Sequence, residues 1–146
     1  MTDGEVLTQI EGSQRLVDWF GLWPSFHDAE VVSIELNRTG TSTVAIHTFA
    51  MTSQVDSRAH YITEKHAIVR FILEEVIDTE LLGFNHQNVI SGLVIKAHKE
   101  GYEVVLGGCY GVESFIVAAR LSVEIEPGIP PRSNYGTNTQ NGVISA

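Results

Sequence analysis

The side chains of this chain that could do chemistry are mainly its six histidines, and one of them forms a His-Asp pair. His27 and Asp28 follow Trp23-Pro24-Ser25-Phe26 and lie directly before the first strand-like run. An imidazole beside a carboxylate could bind a metal or transfer protons. A metal-dependent phosphohydrolase of the His-Asp type needs further His and Asp residues on separate helices, but the sequence predicts a single helix. The pair therefore favours a local turn, in which Asp28 bonds backbone amides and His27 bonds a carbonyl.

The other histidines leave one metal alternative open. His27, His47 and His66 could converge as three ligands if they lie on neighbouring strands. No H-x-H or H-x-x-x-H spacing prepares such a site. His47 shares a strand face with Ala45 and Phe49, which favours a partly buried, hydrogen-bonded histidine. We predict no metal and no cofactor, and we keep as the alternative a metal-assisted or acid–base enzyme that uses His27, Asp28 and a strand histidine.

Nucleophilic catalysis has no support in the sequence. Cys109 is the only cysteine, and neither an electropositive setting nor a neighbouring histidine is visible around it. The glycines before it, Gly107-Gly108, lack the pattern of a phosphate-binding loop, and no G-x-S-x-G elbow is present. The sequence therefore predicts no catalytic residue and favours a protein that is not an enzyme.

Two groups of residues could instead form a contact surface. The run Asn85-His86-Gln87-Asn88 offers hydrogen-bond donors and acceptors, and it could be a turn or could bind a polar ligand. Trp23 belongs to an aromatic group of helical spacing, which could pack on a sheet or anchor an interface. The candidate binding surface consists of Trp23, His27, Asp28, Asn85, His86 and Asn88.

The charge balance excludes one class of partner. Lys+Arg total 9 and Asp+Glu total 18, so the formal net charge is −9. An acidic surface repels phosphate backbones, so we expect no nucleic-acid ligand; it suits solubility or attraction to a basic partner. A single cysteine fits a reducing cytosol. We find no signal-peptide pattern and no apolar run near the ~20 residues that cross a membrane, so we expect a cytoplasmic protein without a membrane partner.

The elements that position these residues are mostly strands. Residues 12–22 carry an apolar face of helical spacing and end before Pro24, which predicts a short helix. Residues 52–60 are polar and predict a loop. In the first strand Val32, Ile34 and Leu36 should share a face, and in the last the odd positions from 115 to 125 should all face the core. The strand-like runs are residues 29–38, 42–51, 65–77, 89–98, 102–109 and 114–125.

The short turns between these runs favour antiparallel pairing. We therefore predict an α+β fold, with a mainly antiparallel sheet of about six strands and one short N-terminal helix packed on it. Residues 1–126 should form a single domain. Residues 127–146 are rich in proline, glycine and asparagine and should form an extended or mobile tail. An exposed sheet edge could support a homo-oligomer.

One stretch of the sequence resembles a known family. Phe20-Gly21, Pro24-Ser25, Asp28 and the strand from Val31 match the pattern of a small bacterial protein family of poorly defined function, which is similar to the predicted immunity proteins found beside polymorphic toxins. Leu81-Leu82-Gly83-Phe84-Asn85, which follows the strand from Val69 to Val76, fits the same pattern.

The resemblance covers roughly residues 11–126 and implies no catalytic residue. It implies tight binding to a toxin rather than turnover of a substrate. We therefore predict a non-enzymatic cytosolic binding protein, an immunity protein whose acidic charge would suit a basic toxin domain.

Overall fold

The computed structural model describes residues 3–133 and 135, and these contain two short helices followed by six strands. The antiparallel sheet dominates, which confirms the predicted α+β class. Of the predicted tail, residue 134 and residues 136–146 lie outside the described residues. The elements are α1 Asp3–Gln9, α2 Ser13–Phe20, β1 Glu30–Glu35, β2 Thr41–Val55, β3 Tyr61–Leu82, β4 Val89–His98, β5 Gly101–Tyr110 and β6 Glu113–Pro127.

Helix α1 is an element that the sequence did not predict. Its seven residues make about two turns, which is too short for a helical pattern to stand out. It buries Val6, and Ile10 directly after the helix is buried as well. Helix α1 packs against β4, and α2 packs against β6. Both helices therefore cover the sheet, where a single predicted helix was expected to do so.

The six strands close into a barrel in the order β1-β2-β3-β6-β5-β4. The seam between β1 and β4 is short, because in register it joins only Glu30 to Val89. Two flanking backbone hydrogen bonds support it: the Val31 N–H donates to the Asn88 carbonyl at 2.9 Å, and the Ile90 N–H donates to the Ala29 carbonyl at 2.9 Å. The start of β1 thus meets the loop between β3 and β4.

The predicted single alternation along β6 is wrong in its first half. Leu121 and Val123 contribute to the core, as expected, but in the first half Ile116 and Ala118 do so instead of the odd positions. The facing strand β3 contains Glu75, whose φ of 57° interrupts the regular pleat at this level. The register between β3 and β6 also shifts between Val76 and Asp78, and the inward face of β6 changes parity close to these two irregularities, between Ala118 and Leu121.

Two smaller expectations also need correction. Val32 is exposed rather than facing the core with Ile34, because the register of β1 shifts between Val31 and Ser33 and Val32 forms a bulge. Leu36 is exposed as well, since β1 ends at Glu35. The predicted loop at residues 52–60 is shorter than expected, since β2 continues to Val55. None of the helices in the described part of the chain is long and apolar enough to span a membrane.

Candidate functional site

Trp23 is anchored on the core of the sheet. Its ring lies edge-on to Phe26 and Phe71, with centroid distances of 6.0 and 6.4 Å. Phe26 and Phe71 are fully buried, and Trp23 is half-buried. The inner side of this aromatic group therefore packs on the sheet, which was one of its two interpretations. The outer side of Trp23 faces an open groove along β4.

His27 and Asp28 occupy a tight turn before β1. Asp28 has a φ of 63°, and its N–H donates to the Ile90 carbonyl at 3.0 Å. His27 Nδ1 donates to the Ser91 carbonyl at 3.0 Å, so the predicted carbonyl bond of this histidine is confirmed. His27 Nε2 lies 3.6 Å from Asp28 Oδ2, and both side chains are exposed. The pair is thus tied to β4 through its backbone and one ring nitrogen.

Asn85 and Asn88 close the loop between β3 and β4 with reciprocal hydrogen bonds. Asn88 Oδ1 accepts the Asn85 N–H at 2.8 Å. Asn85 Oδ1 accepts the N–H groups of Gln87 at 2.8 Å and Asn88 at 3.2 Å. Asn88 is buried and has a φ of 44°, a conformation that asparagine tolerates better than most residues. We call Asn85 and Asn88 the amide clasp; it holds the loop while His86 between them is exposed.

Two glycines allow this loop to lie in close contact with the turn between β5 and β6. A Cβ atom on Gly111 would lie 2.5 Å from Asn85 Oδ1 and 2.9 Å from the backbone nitrogen of Asn88. A Cβ atom on Gly83 would lie 2.6 Å from the Gly111 carbonyl oxygen. Both glycines also have positive φ, 66° for Gly83 and 110° for Gly111. The loop and the turn therefore form one compact unit that other residues would push apart.

This unit presents large apolar side chains to solvent. Leu82 is 53% exposed, Phe84 48% and Tyr110 60%. Leu82 pairs with Glu113 across β3 and β6, so their side chains share one face of the sheet. Glu80, two residues before Leu82, lies on the same face.

Carboxylates accompany these apolar side chains, and cations are absent from the nearby sequence. Residues 71–95 and 100–119 contain no Lys or Arg. We call this region the loop-end surface. It consists of Glu80, Leu82, Phe84, His86, Tyr110 and Glu113.

A second group of polar residues lies on the outside of the sheet, around the buried side chains of Glu30 and His47. His47 is fully buried, yet it alternates with Val44 and Ile46, which face the core. Ser133 and Tyr135 cover it from the carboxyl-terminal segment: the His47 and Tyr135 ring centroids are 5.9 Å apart. We call this group the buried polar cluster. It consists of Glu30, His47, Thr63, His66, Ser133 and Tyr135.

The hydrogen bonds of this cluster form a chain. His47 Nδ1 lies 2.7 Å from Glu30 Oε1, and His47 Nε2 lies 2.9 Å from His66 Nδ1. His66 Nε2 lies 2.9 Å from Thr63 Oγ1. At the other end, Ser133 Oγ donates to Glu30 Oε1 at 2.5 Å.

One arrangement of protons satisfies the whole chain with both imidazoles neutral. Thr63 donates to His66 Nε2, His66 Nδ1–H donates to His47 Nε2, and His47 Nδ1–H donates to the Glu30 carboxylate. Both ring nitrogens of His47 and His66 are thereby used. Among the described residues no buried side-chain nitrogen or oxygen lacks a hydrogen-bond partner.

The surroundings shift two pKa values in the cluster. Burial and the neighbouring His47 lower the pKa of His66 from 6.5 to about 4, while Glu30 acts in the opposite direction. Burial, together with the carboxylates of Asp28 and Glu30, raises the pKa of Tyr135 to about 12. Near neutral pH both groups are therefore uncharged.

The structure brings together only part of the alternative histidine set. His47 and His66 are in contact, and their rings stack with centroids 5.1 Å apart. His27 instead bonds β4 through Ser91. Within residues 3–133 and 135, no group of three or more His, Cys, Asp or Glu side chains is arranged to hold a metal ion. The linear chain of hydrogen bonds from Glu30 through His47 and His66 to Thr63 leaves no ring nitrogen of either histidine open to a ligand.

Several residues of these two regions were missed by sequence reasoning. Glu30 is a charged residue at the start of an apolar strand, and this position could have indicated a buried carboxylate with a bonding partner. Tyr110 was visible as an aromatic residue in a glycine-flanked turn. Ser133 and Tyr135 gave no signal, because their partners are more than 60 residues away in the chain and only the fold brings them together.

Comparison with known proteins gives one match. The sequence model of a protein family described as Immunity protein 50 matches residues 12–126. Searches of curated proteins and of solved structures found no match.

Proposed function

This chain belongs to the Immunity protein 50 family, and we propose from this premise that it binds a cognate bacterial toxin and blocks it in a stoichiometric complex. An immunity role requires a binding surface and no turnover of substrate. The family membership is the observation that carries the proposal. It also confirms the predicted kinship with immunity proteins, which rested on the sequence resemblance.

The charge of the chain supports a basic toxin domain as the partner. The net charge of −9 gives long-range attraction to a cationic protein and accelerates its association. A toxin that acts on a negatively charged substrate would itself carry such a cationic face. We place the complex in the cytosol, where a producing cell needs protection from its own toxin.

The test is protection together with complex formation. Cells that express the toxin encoded beside this gene should survive when this protein is co-expressed. The two purified proteins should form a 1:1 complex, measured by calorimetry and by light scattering after size exclusion. Failure to bind or to protect would contradict the proposed function.

An acid–base or metal-assisted enzyme is the second candidate, and the cluster of Glu30, His47 and His66 is the observation that favours it. The hydrogen bonds of these residues are mutually satisfied and covered by Ser133, which argues for a structural role. Metal analysis of protein purified without chelators, and a His66→Ala variant that removes one imidazole of this cluster, separate the two functions. Bound metal, or loss of protection in the variant that binding data do not explain, would support the enzyme.

A further inference from the structure

The loop-end surface has the composition of a protein-binding site. Interface hot spots are enriched in aromatic residues that can be desolvated fully, and Phe84 and Tyr110 are both large and exposed. Leu82 adds a third apolar side chain. Apolar side chains that are exposed together on adjoining segments are typical of contact sites. From these observations, and resting on the proposed function, we infer that the loop-end surface is where the toxin binds.

The electrostatics of this surface define the chemistry of the partner. Glu80 and Glu113 flank the apolar side chains, and no salt bridge involves either of them among the described residues. Where cations are near, carboxylates of the sheet do pair: Glu74 with Arg120 at 2.9 Å and Glu126 with Arg70 at 2.7 Å, whereas residues 71–95 and 100–119 contain no Lys or Arg. The unpaired carboxylates suit Lys or Arg side chains of a partner.

The backbone under this surface is already fixed. The amide clasp and the close approach of Gly83 and Gly111 hold the loop and the turn in one conformation. Fixing a loop before binding lowers the entropy lost on association. The loop-end surface therefore fits a toxin domain that presents an apolar pocket surrounded by Lys and Arg, and that binds without rearranging this protein.

A second exposed apolar group provides a matched control. Met51 is 51% exposed and lies on the β2–β3 hairpin, where Arg58 and Lys65 mix with the acidic residues. The hairpin and the loop-end surface lie at different positions along the shared strand β3, since Met51 pairs with Thr63 and Leu82 with Glu113. A substitution at Met51 removes comparable apolar area without touching the inferred site.

The experiment measures the affinity of the toxin for the wild type and for Tyr110→Ala, Phe84→Ala and Met51→Ala by calorimetry, after circular dichroism melts show that each variant is folded. We expect Tyr110→Ala and Phe84→Ala each to weaken binding at least about tenfold, and Met51→Ala less than about threefold. Glu113→Gln should slow association and reduce its dependence on salt.

The possible outcomes separate the surface from the function. If the wild type binds and protects but Tyr110→Ala and Phe84→Ala bind equally well, the inferred surface is wrong and the proposed function stands. If the wild type does not bind the toxin, the proposed function fails and the inference with it. If light scattering shows a wild-type dimer that Tyr110→Ala converts to a monomer, the occupant is a second copy of this chain and the inference is overturned.

Discussion

The loop-end surface exposes apolar side chains, whereas the buried polar cluster hides the Glu30 carboxylate and the His47 imidazole and half-buries the imidazole of His66. Either feature would be unfavourable in a protein selected for stability alone. In the cluster the hydrogen bonds among Glu30, His47 and Ser133 compensate for burial, so these polar groups find their partners within the chain itself. At the loop end Phe84 and Tyr110 stay about half exposed in the described chain. We therefore interpret the cluster as serving the fold, and we keep the loop end as the inferred contact surface for a partner.

The largest expected effect is on the cluster. Replacing Glu30 by Ala leaves the His47 Nδ1–H and the Ser133 hydroxyl without their shared acceptor in a buried site, so we expect the free energy of unfolding to fall by about 2–4 kcal/mol. Glu30→Gln retains an acceptor oxygen and should be milder. Urea denaturation measures both. Glu124→Ala, an exposed carboxylate on β6, should change stability by less than about 0.5 kcal/mol; an equal loss in the two alanine variants would show that the cluster does not stabilise the fold.

The second prediction concerns the unit beneath the loop-end surface. Gly111→Ala places a Cβ atom 2.5 Å from Asn85 Oδ1, whereas Gly40→Ala has the same kind of positive φ, 82°, with nothing within 4 Å. The difference between the two variants isolates the amide clasp from the backbone penalty. We expect Gly111→Ala to be less stable than Gly40→Ala by about 1–3 kcal/mol and to bind toxin more weakly. Thermal melts and calorimetry measure this, and equal stabilities would contradict the described contact.

The third prediction is a pH dependence that belongs to the cluster alone. His66 has a pKa of about 4 in the folded chain and near 6.5 when unfolded, so between these values the unfolded chain binds more protons. The free energy of unfolding should therefore fall as the pH drops from 6.5 toward 4, on the order of 1 kcal/mol for this partly exposed group, and stay level from 7 to 8. His66→Gln should flatten the fall. If His98→Gln flattens the fall in the free energy of unfolding as much as His66→Gln does, the effect belongs to histidines in general and not to the cluster.

The smallest expected effect is electrostatic and belongs to the loop end. Raising the salt concentration from 50 to 300 mM should slow association with the toxin by about threefold to tenfold and leave dissociation nearly unchanged, because salt screens long-range attraction. Stopped-flow fluorescence measures both rates. An association rate that is independent of salt would contradict a basic partner, while leaving the apolar contacts of Phe84 and Tyr110 open to the affinity measurements.

The sequence predicts the strands well where local pattern decides them. The β-branched run at 65–77 lies within β3, and helix α2 lies within the predicted 12–22. Local pattern does not predict the change of face at Glu75 or the bulge at Val32, since one irregular residue reverses every position after it without changing composition.

Sites assembled from distant segments were less predictable still. The strand face of His47 was interpreted correctly as that of a hydrogen-bonded histidine, but its partners Glu30 and Ser133 come from β1 and from the carboxyl-terminal segment. At the loop end the sequence indicated Asn85, His86 and Asn88. It did not show that Asn85 and Asn88 hold the loop from below, because an amide looks the same in sequence whether it meets a ligand or the backbone.

The amide clasp has a consequence for how this protein can diversify. The bonds that fix the loop come from Asn85, Asn88 and the backbone, and the space that it needs is left by Gly83 and Gly111. Phe84, His86 and Gln87 contribute no side-chain bond to that framework, so exchanging them alters the displayed chemistry with little effect on folding. Under the inferred binding role these three positions can change to fit a changed toxin without loss of the fold, whereas we expect the two asparagines and two glycines to be retained.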